Sequence, residues 1–517
     1  MRWAISHLGV RIEARGVLEG RSPSSKNLPL PLIKGKGIKG IGLKNNPIKF
    51  GTDGWRGIIA EDFTFDNVRV CAQAVADYLK QAGLGKRGLI IGYDTRFASE
   101  DFAAAAAEVV AGNGIKVYLC PKAAPTPVIS YGIIAQKAGG AIIITASHNP
   151  ARWNGFKYKT NDGASAPTDV IAELQENVSH IFASGKINQM PLAGALNNKS
   201  VEYLDITPAY LEHIAKLINL DEIRQARLKV VIDPMYGAGI GYFKELLSGG
   251  VLEMVHINSE RNPLFPGIQP EPIAANLTKL SDMVKKERAD VGLATDGDAD
   301  RVGIIDEKGT FINQHEVFAL LCLYLLEVRG ERGAIVKTTS TTNMLYRLGE
   351  IFKVPVYETP VGFKYVAPVM AAENALIGGE ESGGYGFRGH IPERDGVLAG
   401  LYFLDLMIKT GKTPSQLVDY LYSKVGPHYS DRVDIKFPEG EQQAISNRIK
   451  RNSPRSIDGV KVVKSDTSDG FRFILADNTW LLIRFSGTEP LLRIYAESNS
   501  PAQVEKLLEF GRKLAGV

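Results

Sequence analysis

Three stretches of this 517-residue chain follow one pattern of strand, helix, strand, helix and strand, and each ends in a polar loop. The first opens at GLIIGYD (88–94), passes through the helical SEDFAAAAAEVVAG, the strand IKVYLC and a helix near PTPVISYGIIAQ, and ends at GAIIITA (140–146). The second runs from LKVVID (228–233) to VGLAT (291–295), the third from AIVKTTS (334–340) to LIGG (376–379). Short apolar strands alternating with helical segments predict crossover connections and mixed, largely parallel sheets. Ligands of such sheets sit beyond the carboxyl ends of the strands. The loops at those ends are TASHNP, TDGDADR and GEESGG, so three similar α/β domains are expected around one central cleft.

The chain from about 430 onward breaks the pattern. GVKVVKSD, GFRFILAD, TWLLIRF and LLRIYAES read as short alternating strands closed by a helix from Pro501, which predicts an α+β domain with RFSGTEP (484–490) between two strands. Polar spacers near 186–200 and 425–433 read as linkers. The expected domains are 48–190, 200–310, 311–425 and 430–517, preceded by an extension over 1–47.

Asp296, Asp298 and Asp300 alternate in DGDADR. Three carboxylates so close repel one another unless a cation sits among them, and hard divalent cations take oxygen ligands. A calcium loop would also use Glu307, but it needs Gly where Arg301 stands and a helix where VGLAT reads as a strand. Three protein oxygens leave positions for phosphate oxygens, which suits Mg2+ working on phosphoryl groups.

A serine such as Ser147 is by residue type a turn former or helix cap. On extended backbone Ser147 and His148 would point to opposite faces, so a hydrolase-type Ser–His pair is not expected, and no GxSxG elbow is present. Ser147, expected on a surface loop, is instead read as a carrier of a phosphoryl group whose oxygens complete the Mg2+ shell. His148 and Lys157 are then candidates for proton transfer or charge neutralisation. Arg484, Ser486, Gly487 and Thr488 combine a guanidinium fork, two hydroxyls and backbone N–H groups into a phosphate cradle. Glu380 and Ser382 offer acceptors suited to sugar hydroxyls.

Taken in order, FGTDGWRG (50–57), TASHNP, DGDADR, GEESGG and RFSGTEP resemble the α-D-phosphohexomutase superfamily of phosphoglucomutases and phosphomannomutases, over about residues 48–517. The resemblance implies an isomerase with three similar α/β domains and a fourth, phosphate-binding domain. It matches Ser147 to a phosphoserine at the metal, and Asp296, Asp298 and Asp300 to the Mg2+ ligands. Glu380 and Ser382 match sugar-hydroxyl contacts, and Arg484, Ser486, Gly487 and Thr488 the distal phosphate loop. Arg56, Lys157, Arg301 and Lys337 match basic residues around the transferred phosphoryl group and substrate. The implied substrate is a hexose phosphate, with glucose 1,6-bisphosphate as activator and intermediate. Phe363 and Gly384 stand where some relatives carry His, which shifts acid–base weight to Lys157 or His148. NPARWNGFKYK and GEESGGYGF look more like bacterial phosphoglucomutases than phosphoglucosamine mutases, so interconversion of glucose 1-phosphate and glucose 6-phosphate is expected, with mannose phosphates as secondary substrates. A phosphomannomutase (or dual-specificity enzyme) and a phosphoglucosamine mutase are the alternatives, and a catalytically silent sugar-phosphate-binding relative is the reading from another class.

Composition sets the remaining bounds. With 44% hydrophobic and 23% charged residues the chain is globular in class. Its longest apolar run, Val317 to Leu326, is half of what a membrane span requires. Cys71, Cys120 and Cys322 lie far apart in apolar surroundings, which suggests buried thiols in a reducing, cytoplasmic setting. A monomer or homodimer is expected. Residues 1–49 hold ten Lys/Arg and two acids, leaving 51 basic against 55 acidic residues, so the net charge of +4 does not point to nucleic acid. The Gly-, Pro- and Lys-rich tail has no sustained helix or strand period and reads as a disordered extension or as sequence upstream of the true start. Deleting residues 1–47 is therefore expected to leave activity and melting temperature nearly unchanged. A large fall in melting temperature, followed by circular dichroism, would show that the tail belongs to the core.

Overall fold

The computed structural model describes residues 46–51, 53–438, 440–486 and 491–517. The expectation for the 1–47 extension thus lies outside the described residues except for its last two, as do Gly487 and Thr488 of the cradle. Four sheets follow one another along the chain. In the first, Leu89–Tyr93 lies between Val117–Leu119 and Ala141–Ile144, parallel to both, and Val201–Tyr203 adds a further parallel strand. The second places Lys229–Asp233 between Glu253–His256 and Val291–Thr295, and the third places Ile335–Thr338 between Val356–Thr359 and Ile377–Gly379. All of these pairs are parallel, as crossover helices require. The fourth sheet is antiparallel throughout, in the order Tyr429–Lys436, Leu491–Ser498, Trp480–Phe485, Phe471–Leu475, Val460–Asp466, Ser456–Ile457.

What positions the site is a feature shared by the first three sheets. Each strand that ends in a polar loop is followed by an antiparallel return strand: Trp153–Lys159 on Ala141–Ile144, Val302–Ile305 on Val291–Thr295, and Tyr385–Phe387 on Ile377–Gly379. Each loop is therefore the turn of a hairpin, and ladder pairs such as Ile144↔Phe156, Thr295↔Val302 and Gly379↔Tyr385 fix both of its ends. Antiparallel pairing is what makes the sheets mixed.

Helices cover these sheets. Phe65–Gln81 starts where the Thr64 side chain accepts from the Asn67 N–H, and the alanine-rich Ser99–Gly112 uses the best helix former to pack closely. The run from Val317 to Leu326 lies in Gln314–Leu323 and the π-helical turn Tyr324–Val328; it is buried all round, which explains its lack of a polar face. Asp395 caps Gly396–Thr410, and Gly411 ends that helix at φ +64°. Among the described residues no helix is long and apolar enough to cross a membrane.

The spacers are not bare linkers. Leu192–Asn197 is helical with Ala195 fully buried, and Tyr429–Lys436 is the edge strand of the fourth sheet. Alternating charge on an exposed edge strand hid it from the hydrophobic pattern. The largest apolar core draws on all three α/β modules, from Ile48 to Val425, whereas the fourth module has its own core around Phe437, Ile449, Leu481 and Ile494. Polar contacts join it to the third: Arg472 to Glu358 at 2.6 Å, Asn343 N–H to Glu497 at 2.8 Å and Val361 N–H to Asp469 at 2.7 Å.

Candidate active site

Asp296, Asp298 and Asp300 follow directly on Val291–Thr295, and all three are fully buried. They offer ligand oxygens within 4.8 Å of one another. Burial, reinforced by Asp300 and Asp298, pushes Asp296 well above the usual carboxylate range. Burial also raises Asp300, against the pull of Arg394. Burial acts upward on Asp298 too, but Lys157 and the Thr126 hydroxyl hold it below its ordinary value. Asp298 Oδ1 and Asp300 Oδ1 have no hydrogen-bond partner. Unpaired carboxylate oxygens out of water are costly, and this donor set fits a hard divalent cation such as Mg2+. Glu307, the candidate twelfth residue of a calcium loop, instead accepts from Thr413 and Ser415 at the start of another helix.

Ser147 Oγ donates to Asp296 Oδ2 at 2.9 Å, across 149 residues of sequence. Two expectations fail here. Ser147 is 1% exposed and so is not on a surface loop. Its backbone is left-handed, φ +51°, not extended, which turns its side chain back toward His148, and Oγ lies 3.3 Å from His148 Nδ1. Burial, then the positive charges of Arg301, Arg56, Arg493 and Lys157, hold His148 well below the ordinary imidazole value, so its ring is neutral. Gly297 is needed for the fit between loops: a Cβ there would stand 2.3 Å from the Ser147 carbonyl oxygen.

Cations ring these groups. Lys157 Nζ lies 2.6 Å from Asp53, 2.8 Å from Asp298 and 3.7 Å from Asp300. Burial opposes its charge, but those carboxylates outweigh burial and raise it above the ordinary lysine value. Lys157 is thus a fixed positive charge, and of its two expected roles the geometry favours neutralisation over proton transfer. Arg301 lies 3.8 Å from Asp300 and 4.0 Å from Asp296, and Arg56 donates to Asn149 of the serine loop at 2.7 Å. Glu380 is buried against Arg394 at 3.3 Å; burial pushes its carboxyl up to about 7 despite that guanidinium. Ser382 is half-buried on the same turn. Lys337 points elsewhere: its Nζ is 3.2 Å from Glu358 and 4.6 Å from the Tyr346 ring, and burial lowers it to about 8.

In the fourth module Arg484 donates Nε–H to Asp469 at 2.9 Å, and the Ser486 N–H donates to the Leu491 carbonyl. Arg484 stands directly opposite Arg493 in the ladder. Like charges so placed destabilise a sheet unless an anion lies between or beside them. Their field reaches the other loops, since Arg493 acts on His148, and Arg432 and Arg484 act on Glu381.

The sequence reading missed several of these groups. Asp53, half-buried, gathers Lys157, Lys159 and Arg394. Arg394 also reaches Asp300 at 2.7 Å, and Lys159 pairs with buried Glu393. Arg493 was legible in principle: folding the two strands back about the RFSGTEP turn sets the two arginines face to face.

Family models match the chain in four consecutive pieces: the phosphoglucomutase/phosphomannomutase α/β/α domains I at 47–184, II at 208–309 and III at 313–425, and the C-terminal domain at 436–513. A phosphoglucomutase/phosphomannomutase of Thermococcus kodakarensis is 34% identical over 466 residues, 90% of this chain and 98% of the relative. A "Probable phosphoglucosamine mutase" of Methanosphaera stadtmanae is 30% identical, over 90% of this chain and 97% of its own. The crystal structure of a protein assigned as a phosphomannomutase from Thermus thermophilus superposes with a TM-score of 0.79 at 35% identity, covering 91% of this chain and 99% of that one.

The carboxylate trio makes a direct prediction. A ligand that binds only the folded state stabilises it by about 2.7 kcal/mol at a hundredfold excess over Kd, so Mg2+ should raise the melting temperature. Asp298→Asn should remove most of that rise in a calorimetric titration. Equal rises in both proteins would contradict the assignment.

Proposed function

The chain belongs to the phosphoglucomutase/phosphomannomutase family, and on that premise we propose that it interconverts glucose 1-phosphate and glucose 6-phosphate through a phosphorylated Ser147. A phosphohexomutase is an isomerase that relocates a phosphoryl group on its sugar. The observation that carries the Ser147 reading is its 2.9 Å contact with Asp296 inside a buried carboxylate trio ringed by Lys157, Arg301 and Arg56.

In the proposed cycle the P–O bond to Ser147 breaks as a P–O bond to a sugar hydroxyl forms. The resulting glucose 1,6-bisphosphate turns over and returns its other phosphoryl group to Ser147. Mg2+ held by Asp296, Asp298 and Asp300 beside Ser147 would stabilise charge on the transferring oxygens. Lys157, Arg301 and Arg56 add fixed positive charge around the same position. Each transfer also moves one proton between the two oxygens: the sugar hydroxyl loses a proton as it takes the phosphoryl group, and the released Ser147 oxygen gains one, with the reverse on the return step. Neutral His148, 3.3 Å from Ser147 Oγ, passes that proton on the serine side. Glu380 and Ser382 receive sugar hydroxyls, and Arg484 with Ser486, Gly487 and Thr488 binds the phosphate that stays behind. Lys337, expected at the substrate, is engaged by Glu358 instead and has no step in the cycle. The four domains are proposed at 48–190, 200–310, 311–425 and 430–517, except that the strand Val201–Tyr203 belongs to the sheet of the first. Three buried free thiols accord with a cytoplasmic setting.

The glucose preference draws on the phosphoglucomutase/phosphomannomutase of Thermococcus kodakarensis, and the Methanosphaera stadtmanae relative supports glucosamine phosphate as the second reading. Coupled assays with glucose, mannose and glucosamine 1-phosphates, primed with the matching bisphosphate, separate them. The highest kcat/KM is expected for glucose 1-phosphate. A higher value for glucosamine 1-phosphate would replace the glucose reading, and absence of turnover with all three would leave a silent binding protein.

A further inference from the structure

Several fully buried charged groups take no part in the proposed cycle, and Arg96 is the one bound to the serine loop. Arg96, in the turn after Leu89–Tyr93, has no exposed surface and touches none of the trio. It spends its guanidinium on the loop that carries Ser147. Nη2 donates to the carbonyls of Ser147 and Asn149, both at 2.6 Å, and Nη1 to those of Pro150 and Trp153 at 3.0 and 3.1 Å. Nε donates to Asp94 at 3.1 Å. Asp94 in turn accepts from the Thr145 hydroxyl at 2.6 Å and the Ser99 hydroxyl at 3.0 Å, and the Thr145 oxygen accepts the Ser147 N–H at 2.8 Å. The peptide groups on both sides of Ser147 are thus tied, through one ion pair, to a single point on the sheet.

We infer that Arg96, seated on Asp94, is the positioning residue that holds Ser147 in its left-handed conformation and so aims its hydroxyl at Asp296. A non-glycine residue at positive φ persists only where its surroundings over-determine it. Here the carbonyls of Ser147, Asn149, Pro150 and Trp153 converge on one rigid planar fork, a pattern that a lysine's single ammonium cannot reproduce. Arg96 is itself pressed into place from the second module. The Phe265 ring lies 5.0 Å from its guanidinium carbon, the neighbouring Thr95 hydroxyl donates to the Tyr236 carbonyl at 2.8 Å, and Gly297 abuts the same Ser147 carbonyl that Nη2 holds. The clamp therefore sets the serine against the metal loop as well as within its own hairpin.

This inference rests on the phosphoserine reading, and its test keeps the two apart. Arg96→Lys retains the charge facing Asp94 but not the fork. Thr145→Val nearly keeps volume and retains the Arg96–Asp94 ion pair while removing the acceptor of the Ser147 N–H and one hydroxyl donor to Asp94. A misplacement of about 1 Å at a reacting group costs roughly a hundredfold in rate, so kcat of Arg96→Lys should fall by about that factor, and that of Thr145→Val by less, with KM for glucose 1-phosphate little changed. The rate of phosphoryl transfer from labelled glucose 1,6-bisphosphate to Ser147 should fall in parallel, in variants that still melt cooperatively. A purely structural role would lower the melting temperature without that split between kcat and KM. If Arg96→Lys does not fold, Thr145→Val decides. Unaltered kcat and labelling rate in the folded variants, with Ser147→Ala inactive, would overturn the clamp alone. Full turnover by Ser147→Ala would overturn the phosphoserine reading and the clamp with it.

Discussion

Burial of three carboxylates at the end of one strand is the constraint around which the molecule is arranged. Removing charge from water costs several kcal/mol per ion unless partners restore it. The chain meets that cost with cations drawn from distant segments: Lys157 from the first module, Arg301 from the loop that carries the trio and Arg394 from the third. Because Asp53 and Glu380 bind the same cations, the loops of three modules share one electrostatic unit. The apolar core that runs through all three holds that unit in place.

The fourth module stands in a different relation to the rest. Among the described residues its buried core is separate, and hydrogen bonds and an ion pair join it to the third. Such interfaces yield at lower cost than a continuous core. Asp469 lies at the centre of this arrangement, since one oxygen receives Arg484 and the other the Val361 N–H of the third module. On the proposed reading, a phosphate bound by Arg484 draws the module toward the cleft, so that remote binding energy serves closure.

Much of this was legible along the chain, for reasons that differ by element. Val291–Thr295 and Ser99–Gly112 match their expected spans to the residue because an apolar or alanine-rich run admits one reading, and Leu491–Ser498 does so by its alternation. GIGYFKELLS shortens to Tyr242–Leu247, since Gly241 adopts φ +89°, outside the helical region. IAANLTKLSDMVKKE divides into the 3-10 turn Ala274–Asn276 and the helix Thr278–Glu287. The return strands Trp153–Lys159 and Tyr385–Phe387 were hidden because lysines and glycines interrupt them; Lys157 and Lys159 are buried there only because their partners, Asp53, Asp298 and Glu393, arrive from elsewhere. Within the site, Asp296, Asp298 and Asp300 were visible as local repetition. The left-handed turn at Ser147 was not, since it depends on hydrogen bonds from residues as distant as Arg96.

The central claim is that Ser147 carries the phosphoryl group between the two ends of the sugar. The most direct measurement is a pulse of protein with glucose 1,6-bisphosphate labelled in its phosphates, followed by peptide mapping of the labelled site. Label is expected on Ser147, displaced from the protein when unlabelled glucose 1-phosphate or glucose 6-phosphate is added. Label on another residue, or turnover of the sugar phosphates with none on the protein, would contradict it.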